Sequence, residues 1–284
     1  MRVVRTVSEV RAVVAEARAA GRKVGLVPTM GSLHEGHCSL LRRAASECDE
    51  VVMSLFVNPA QFRAGEDLDA YPRDEERDAA VASEAGATTL FAPPVTEVYP
   101  DGFATTVTVR GAISETLCGA ARGAEHFQGV ATVVTKLLNM VSPDVAYFGQ
   151  KDAQQTLVIR RLVRDLDIPV QIEICPTVRE ADGLAASSRN TYLDAAERER
   201  AIGLSRALLA AEHAVAGGEH EAARIRALAH SELAAHGIEP EYLELRSPET
   251  LEEVDEVDGP VLVAVAARVG STRLIDNAVI APRR

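Results

Sequence analysis

The sequence predicts an α/β fold, a Rossmann-like doubly wound parallel sheet followed by a second, smaller α+β domain. Two patterns predict it. Up to about residue 176, short apolar runs alternate with helix-period segments, which is how parallel strands joined by crossover helices read. After that point two alanine-rich helices come first and strands follow, the order of a small domain with an antiparallel sheet. The boundary is placed near Thr177, giving domains 1–176 and 177–284, with the stretch to Asn190 at the interface.

In chain order, a helix over 7–20 precedes a short apolar strand over 23–27. The helix over 36–48 follows, with Leu40, Leu41, Ala44, Ala45 and Cys48 at helical spacing. Strands over 50–57, 88–92, 105–109, 144–148 and 169–174 then alternate with helices over 74–85, 127–140 and 152–166. In the last third, helices Ala195–Gly217 and Glu219–His236 meet at Gly217-Gly218. Strands Glu241–Leu245, Val261–Ala267 and Arg273–Asp276 close the chain.

Composition narrows the function. The 284 residues are 47% hydrophobic and 25% charged with a mean hydropathy of zero, the balance of a soluble globular protein. No apolar run reaches the ~18 residues of a membrane span, and Met1-Arg-Val-Val leads into mixed sequence rather than a signal peptide. The expectation is a cytoplasmic protein with no membrane partner. A net charge of −12 without a basic stripe argues against nucleic acid, and Arg160, Arg161 and Arg164 read as one solvated helix face. Cys38, Cys48, Cys118 and Cys175 form no Cys-x-x-Cys pair and read as reduced packing thiols.

The chemistry concentrates at predicted strand ends. After the first strand, Met30-Gly-Ser-Leu-His34-Glu-Gly-His37 sets two imidazoles three residues apart where a strand gives way to a helix. Unpaired N–H groups and the positive helix end favour an anion there, and Gly31 and Gly36 let the backbone approach it. An imidazole at that point can stabilise the charge that builds as a phosphoanhydride breaks. Taken alone, the pair reads equally well as two surface histidines, or as half a metal site lacking a third ligand at zinc-like spacing. After the second strand, Asn58 and Gln61 offer neutral amides suited to a small hydroxy acid. After the 144–148 strand come Gly149, Gln150, Lys151 and Asp152, with Lys151 a point cation for phosphate and Asp152 placed to cap the next helix. A fourth cluster, Ser187, Ser188, Arg189 and Asn190, presents hydroxyls and a guanidinium. Ligands bind along the carboxyl edge of open α/β sheets, so these loops are expected to converge. With no Ser-His-Asp or Cys-His set and no P-loop, the set points to nucleotidyl transfer onto a carboxylate by charge stabilisation.

Five motifs, in order, resemble those of the pantoate–β-alanine ligases. They are Pro28–His37, Phe56–Phe62, Tyr71-Pro-Arg73, Tyr147–Asp152 with Gln154-Gln155, and Val178–Asn190; Glu241–Arg246 and Thr272–Asn277 extend the likeness into the last third. The resemblance implies a two-step, ATP-dependent ligation. Pantoate attacks ATP to give pantoyl adenylate and pyrophosphate, and the amine of β-alanine then displaces AMP. It implies that His37 and His34, with Lys151 and Arg189, carry the catalysis. Met30, Gly31, Ser32, Leu33, His34, Glu35, Gly36 and His37 would line the ATP site with Gly149, Gln150, Lys151, Asp152, Val178, Ala186, Ser187, Ser188 and Arg189. Gln61, Gln155 and Asn58 would hold pantoate, with Gln61 also near β-alanine. It further implies a homodimer, Mg²⁺ and a carboxy-terminal domain that acts as a lid. The chain departs from the family at Ala186, where methionine is usual, and at Arg122–His126, one residue longer than usual. Among the acidic residues Asp74, Glu75, Glu76 and Asp78, Asp78 is the candidate magnesium ligand.

Overall fold

Hydrophobic periodicity becomes two layered units in the computed structural model, which describes residues 1–62, 68–69 and 71–282, with the backbone alone for Ala124. The first unit comprises Met1–Arg110, Arg122–Gln150 and Val158–Pro176; the second comprises Gly111–Ala121, Lys151–Leu157 and the chain from Thr177 onward.

The elements run β1 (Arg2–Val4), α1 (Val7–Ala19), β2 (Val24–Thr29), α2 (Glu35–Glu47), β3 (Glu50–Leu55), α3 (Glu75–Glu84) and β4 (Thr89–Phe91). Short helices α4 (Val95–Val98), α5 (Ala112–Glu115) and α6 (Cys118–Arg122) lead to α7 (Ala124–Val141), β5 (Val145–Gly149), α8 (Ala153–Asp165) and β6 (Gln171–Cys175). The last third holds α9 (Ala195–Ala216), α10 (Ala222–Ala235), β7 (Pro240–Arg246), β8 (Val261–Val269) and β9 (Thr272–Ile280).

In the first unit six parallel strands lie in the order β1-β4-β3-β2-β5-β6. The chain builds β3 and β4 on one side of β2 and later places β5 on the other. The order therefore reverses between β2 and β5, the place where open α/β sheets bind their ligands. Thr6 and Glu9 form a capping box that starts α1, whose Val10, Val13, Val14 and Ala17 are buried at i, i+3, i+4 and i+7. On α2 the buried stripe is Cys38, Leu40, Leu41 and Ala44, with Cys48 closing it; Ala45 is exposed and lies outside it. These residues pack with Val27, Val51, Met53, Leu90 and Tyr147 of the sheet.

Residues 105–109 form no strand, contrary to their alternation. The N–H of Val107 donates to Thr132 Oγ1 at 3.0 Å, and the same hydroxyl donates to the Val107 carbonyl at 3.5 Å. One hydroxyl on α7 thus supplies the partner that a neighbouring strand would have supplied. The three-residue β1 was missed because so short a run carries no period.

In the second unit, β7-β8-β9 is an antiparallel sheet. Leu204 and Leu208 of α9 and Ile225 and Leu233 of α10 pack in one core with Val261, Val263, Val265 and Leu274. Gln154 explains why 111–121 belong here: its Oε1 accepts the Cys118 N–H at 3.0 Å, and its Nε2 donates to the carbonyls of Ile113 and Thr116 at 3.0 and 2.7 Å.

Candidate active site

The predicted residues fall into two sets, one in each unit. In the first, the loop from β2 to α2 turns through Gly31 at φ +90° and Ser32 at φ +52°. Two consecutive residues in left-handed conformation are a strained feature, and such strain persists where the surroundings over-determine it. Here the determinant is Asp78, 1% exposed on α3, whose Oδ2 accepts the Ser32 N–H at 2.7 Å and whose Oδ1 accepts the Leu33 N–H at 2.8 Å. A Cβ on Gly31 would lie 2.8 Å from Asp78 Oδ2 and from Leu55 Cδ1, so the carboxylate and the glycine fit only together.

His34 is the N-cap of α2 and His37 its third residue. Gly36 N–H donates to His34 Nδ1 at 3.1 Å, and His34 N–H donates to His37 Nδ1 at 3.3 Å, a capping box built from imidazoles. The two rings lie with centroids 4.1 Å apart. Because each Nδ1 accepts, the proton of each neutral ring sits on Nε2, which makes both rings Nε2–H donors. This revises the expectation that free backbone amides would cradle an anion. The amides of Ser32, Leu33, His34 and Gly36 already have protein acceptors.

The turn after β3 is tied to this loop. Gln61 Nε2 lies 2.9 Å from Met30 Sδ. Asn58, 1% exposed, ties the turn to itself, to α7 and to Tyr99. Its Nδ2 donates to Gln61 Oε1 and to the Gly129 carbonyl at 3.2 and 3.1 Å, and its Oδ1 accepts from Ala60 N–H and from Tyr99 Oη at 3.3 and 2.8 Å. It shapes the turn that presents Gln61. From α7, His126 Nδ1 donates to the Gln61 carbonyl at 2.9 Å, and its Nε2 accepts from Arg122 Nη1 at 3.1 Å. Helix α7 meets the turn backbone to backbone at Gly129, where an added Cβ would lie 2.2 Å from the Ala60 carbonyl oxygen. Gly149 ends β5, the strand whose Val145 and Ala146 pair with β2, Gln150 opens the 3₁₀ turn that follows, and a Cβ on Gly149 would meet no described heavy atom within 4 Å.

The second set starts with Lys151 and Asp152, in a 3₁₀ turn that runs directly into α8, which carries Gln155. Val178 opens a hairpin closed by Ala186 N–H to Val178 carbonyl at 2.9 Å and by the Arg179–Ala185 bridge. Its outgoing arm carries Ala186, and Ser187 Oγ then accepts the Arg189 N–H at 3.3 Å, capping a 3₁₀ turn over Ser188–Tyr192. Sequence reasoning gave no role to Tyr99, Gly129, Asp276 or Asn277; the last two lie in the Thr272–Asn277 motif, and Gly129 is a small residue in the middle of α7.

Two outcomes follow locally. Asp78→Asn keeps the shape but turns a donor toward an amide, and is expected to lower stability by about 1–3 kcal/mol in denaturant unfolding. If Asp78 holds the loop, raising Mg²⁺ will not restore activity; recovery with added Mg²⁺ would make it a metal ligand instead. Burial pushes the Tyr99 hydroxyl up to about 12, against the opposing hydrogen bond to Asn58. The folded state thus favours the neutral phenol; its contribution is full below the unfolded value near 10 and is lost as pH rises through the folded one. Melting temperatures measured from about pH 9 to about pH 12 should fall more steeply in the unmodified chain than in Tyr99→Phe.

A parallel sheet with an imidazole-capped helix at its order reversal and an amide-bearing turn beside it defines an α/β nucleotidyl-transfer scaffold. The comparisons with known proteins make this particular. The family model for pantoate–β-alanine ligase matches residues 2–279, and the chain belongs to that family. It is 51% identical to the pantothenate synthetase of Pelotomaculum thermopropionicum and 54% identical to that of Chelativorans sp., covering 99% and 98% of this chain and 99% and 97% of theirs. The crystal structure of pantothenate synthetase from Thermus thermophilus superposes with a TM-score of 0.94 at 48% identity, over 99% of this chain and all of the other. That of the Francisella tularensis pantoate–β-alanine ligase, complexed with β,γ ATP and β-alanine, superposes with a TM-score of 0.81 at 31% identity, over 98% and 97%.

Proposed function

We propose that this chain joins pantoate to β-alanine at the expense of ATP, through pantoyl adenylate, releasing AMP and pyrophosphate. The observation that carries the reading is the His34–His37 capping box, which turns two imidazoles into Nε2–H donors at the head of α2. The Francisella relative's complex with a nucleotide and β-alanine supports the substrate class.

In the first step a pantoate carboxylate oxygen bonds to the α-phosphorus, and the bond from that phosphorus to the α,β-bridging oxygen breaks. Negative charge builds on the departing pyrophosphate. Imidazole N–H donors stabilise it, with His37 as the principal one, joined by the Lys151 ammonium and the Arg189 guanidinium. In the second step the β-alanine nitrogen bonds to the acyl carbon, the acyl–phosphate oxygen bond breaks, AMP leaves with that oxygen, and the nitrogen loses a proton. No acyl-enzyme is needed. Gln61 and Gln155 hold pantoate in this reading, and Asn58 acts by shaping the Gln61 turn. Mg²⁺ neutralises triphosphate charge when bound. Among the described residues no group of three His, Cys, Asp or Glu could form a cage for it, and both Asp78 oxygens are engaged by amides. In this reading the ion travels with the nucleotide phosphates while Asp78 holds the β2–α2 loop. Homodimerisation and cytoplasmic residence belong to the same proposal. The four cysteines, all free thiols, fit a reducing compartment. Among the described residues no helix is long and apolar enough to cross a membrane.

Exchange of labelled pyrophosphate into ATP tests the first step alone. It is expected with pantoate and Mg²⁺ and without β-alanine. Exchange that ignores pantoate would assign a different acceptor.

A further inference from the structure

Two adjacent buried polar residues in β9 remain unused by the reaction just described. Asp276 is 3% exposed and Asn277 is 5% exposed, in a strand whose other buried residues are mainly apolar. Burying polar groups in a small sheet is costly unless they are fully partnered, so their partners show what they hold.

Successive residues of a strand face opposite sides of the sheet. Asp276 shares the face of Leu274 and Ile280, which belong to the core of the second unit. Its carboxylate accepts from Arg179, Nη1 to Oδ2 at 2.6 Å and Nη2 to Oδ1 at 3.2 Å. Arg179 is the first residue after Val178 in the hairpin whose outgoing arm carries Ala186 to Arg189, and its Nη1 also donates to the Gly183 carbonyl at 3.2 Å. Asp276 Oδ1 accepts the Asn277 N–H as well, at 2.8 Å. On the opposite face, Asn277 Nδ2 donates to the backbone carbonyl of Lys151 at 2.8 Å. The residue that the proposed reaction uses as a phosphate cation is thus held by its main chain from β9, and the hairpin leading to Arg189 is held from the same two-residue step.

We infer that Asp276 and Asn277 are positioning residues: Asn277 fixes the main chain from which the Lys151 ammonium reaches the nucleotide, and Asp276 fixes Asn277 and the Arg179 hairpin in one register. The inference rests on the role proposed above for Lys151. Lysine is a flexible point charge, so the placement of its main chain decides where the ammonium can stand. A misplacement of about 1 Å costs a large factor in rate, which gives a hydrogen bond remote from the chemistry a kinetic consequence.

The test is a double-mutant cycle on pantoate-dependent ATP–pyrophosphate exchange, with melting temperature followed in parallel. Asn277→Ala and the isosteric Asn277→Asp, which cannot donate to the carbonyl, are each expected to lower kcat for exchange about 10- to 100-fold. In a Lys151→Ala background the same replacements should cost less than about twofold, because the group they position is gone. Losses that multiply in that background, or an Asn277→Asp variant with unaltered exchange, would overturn the inference and leave the Lys151 assignment standing. Exchange unaffected by Lys151→Ala alone would overturn that assignment, and this inference with it. A drop in melting temperature by itself moves both backgrounds equally and so cannot imitate the expected pattern.

Discussion

Replacing His37 by alanine is expected to lower the rate of adenylate formation by ~10²-fold or more while ATP affinity stays within a few-fold. The expectation follows from where the protons are. With Nδ1 accepting the His34 N–H, the neutral ring carries its proton on Nε2, and in the proposed reaction that N–H stabilises the charge developing on departing pyrophosphate, most strongly in the transition state. Alanine also removes the His37 half of the capping box, the acceptor of the His34 N–H, a loss of about 0.5–1.5 kcal/mol in stability. Two further replacements separate the effects. His37→Asn keeps an acceptor at the δ position, so the cap is retained while the ε donor is lost. His37→Gln keeps a donor at the ε position. The account predicts an asparagine variant that melts near the parent yet turns over as poorly as alanine, and a glutamine variant that recovers part of the rate. Unchanged turnover in His37→Ala would remove this residue from the mechanism.

Gly129→Ala carries the largest expected structural effect. Its Cβ would lie 2.2 Å from the Ala60 carbonyl oxygen, 2.6 Å from the Ala60 carbonyl carbon and 2.8 Å from the Gln61 nitrogen, all of them backbone atoms. No rotamer change relieves such contacts, so α7 or the 58–61 turn must move. Overpacking of this kind costs about 1–3 kcal/mol, and more where backbone cannot yield. The movement falls on the turn that presents Gln61 and on the Asn58 to Gly129 hydrogen bond, so function should follow stability. Denaturant unfolding should show the loss, and steady-state kinetics of the remaining folded enzyme should show a raised KM for pantoate. Parent-like values for both would mean that the helix and the turn approach less closely than described.

The elements legible in the sequence were those whose signal is local. Val24–Thr29 and Glu35–Glu47 announce themselves by apolar runs and helical spacing, and the histidine turn between them follows from chain continuity. Gln61 was legible for the same reason, as an amide just beyond a strand end. What failed was non-local. Asp78 reads as one more acid on an exposed acidic helix, and only the fold brings it under the amides of Ser32 and Leu33, some 45 residues earlier. The amides expected to bind an anion were spoken for by this carboxylate and by the histidines themselves. Asn58 stands beside Gln61 in the sequence, and only the fold shows its amide bonded to Gly129 and Tyr99 as well. Thr105–Val109 has the alternation of a strand, yet Val107 bonds to the Thr132 hydroxyl of α7 instead. The attachment of 111–121 to the second unit runs through the Gln154 side chain, a contact for which sequence spacing holds no clue.

The central claim is that one chain couples adenylation of a hydroxy acid to capture by an amino acid. Following AMP and pyrophosphate separately, with ATP, Mg²⁺, pantoate and β-alanine supplied together and each omitted in turn, tests it most directly. Steady release of both products in equal amounts only when all are present is the predicted result. Pyrophosphate release that does not require pantoate, or AMP release indifferent to β-alanine, would contradict it.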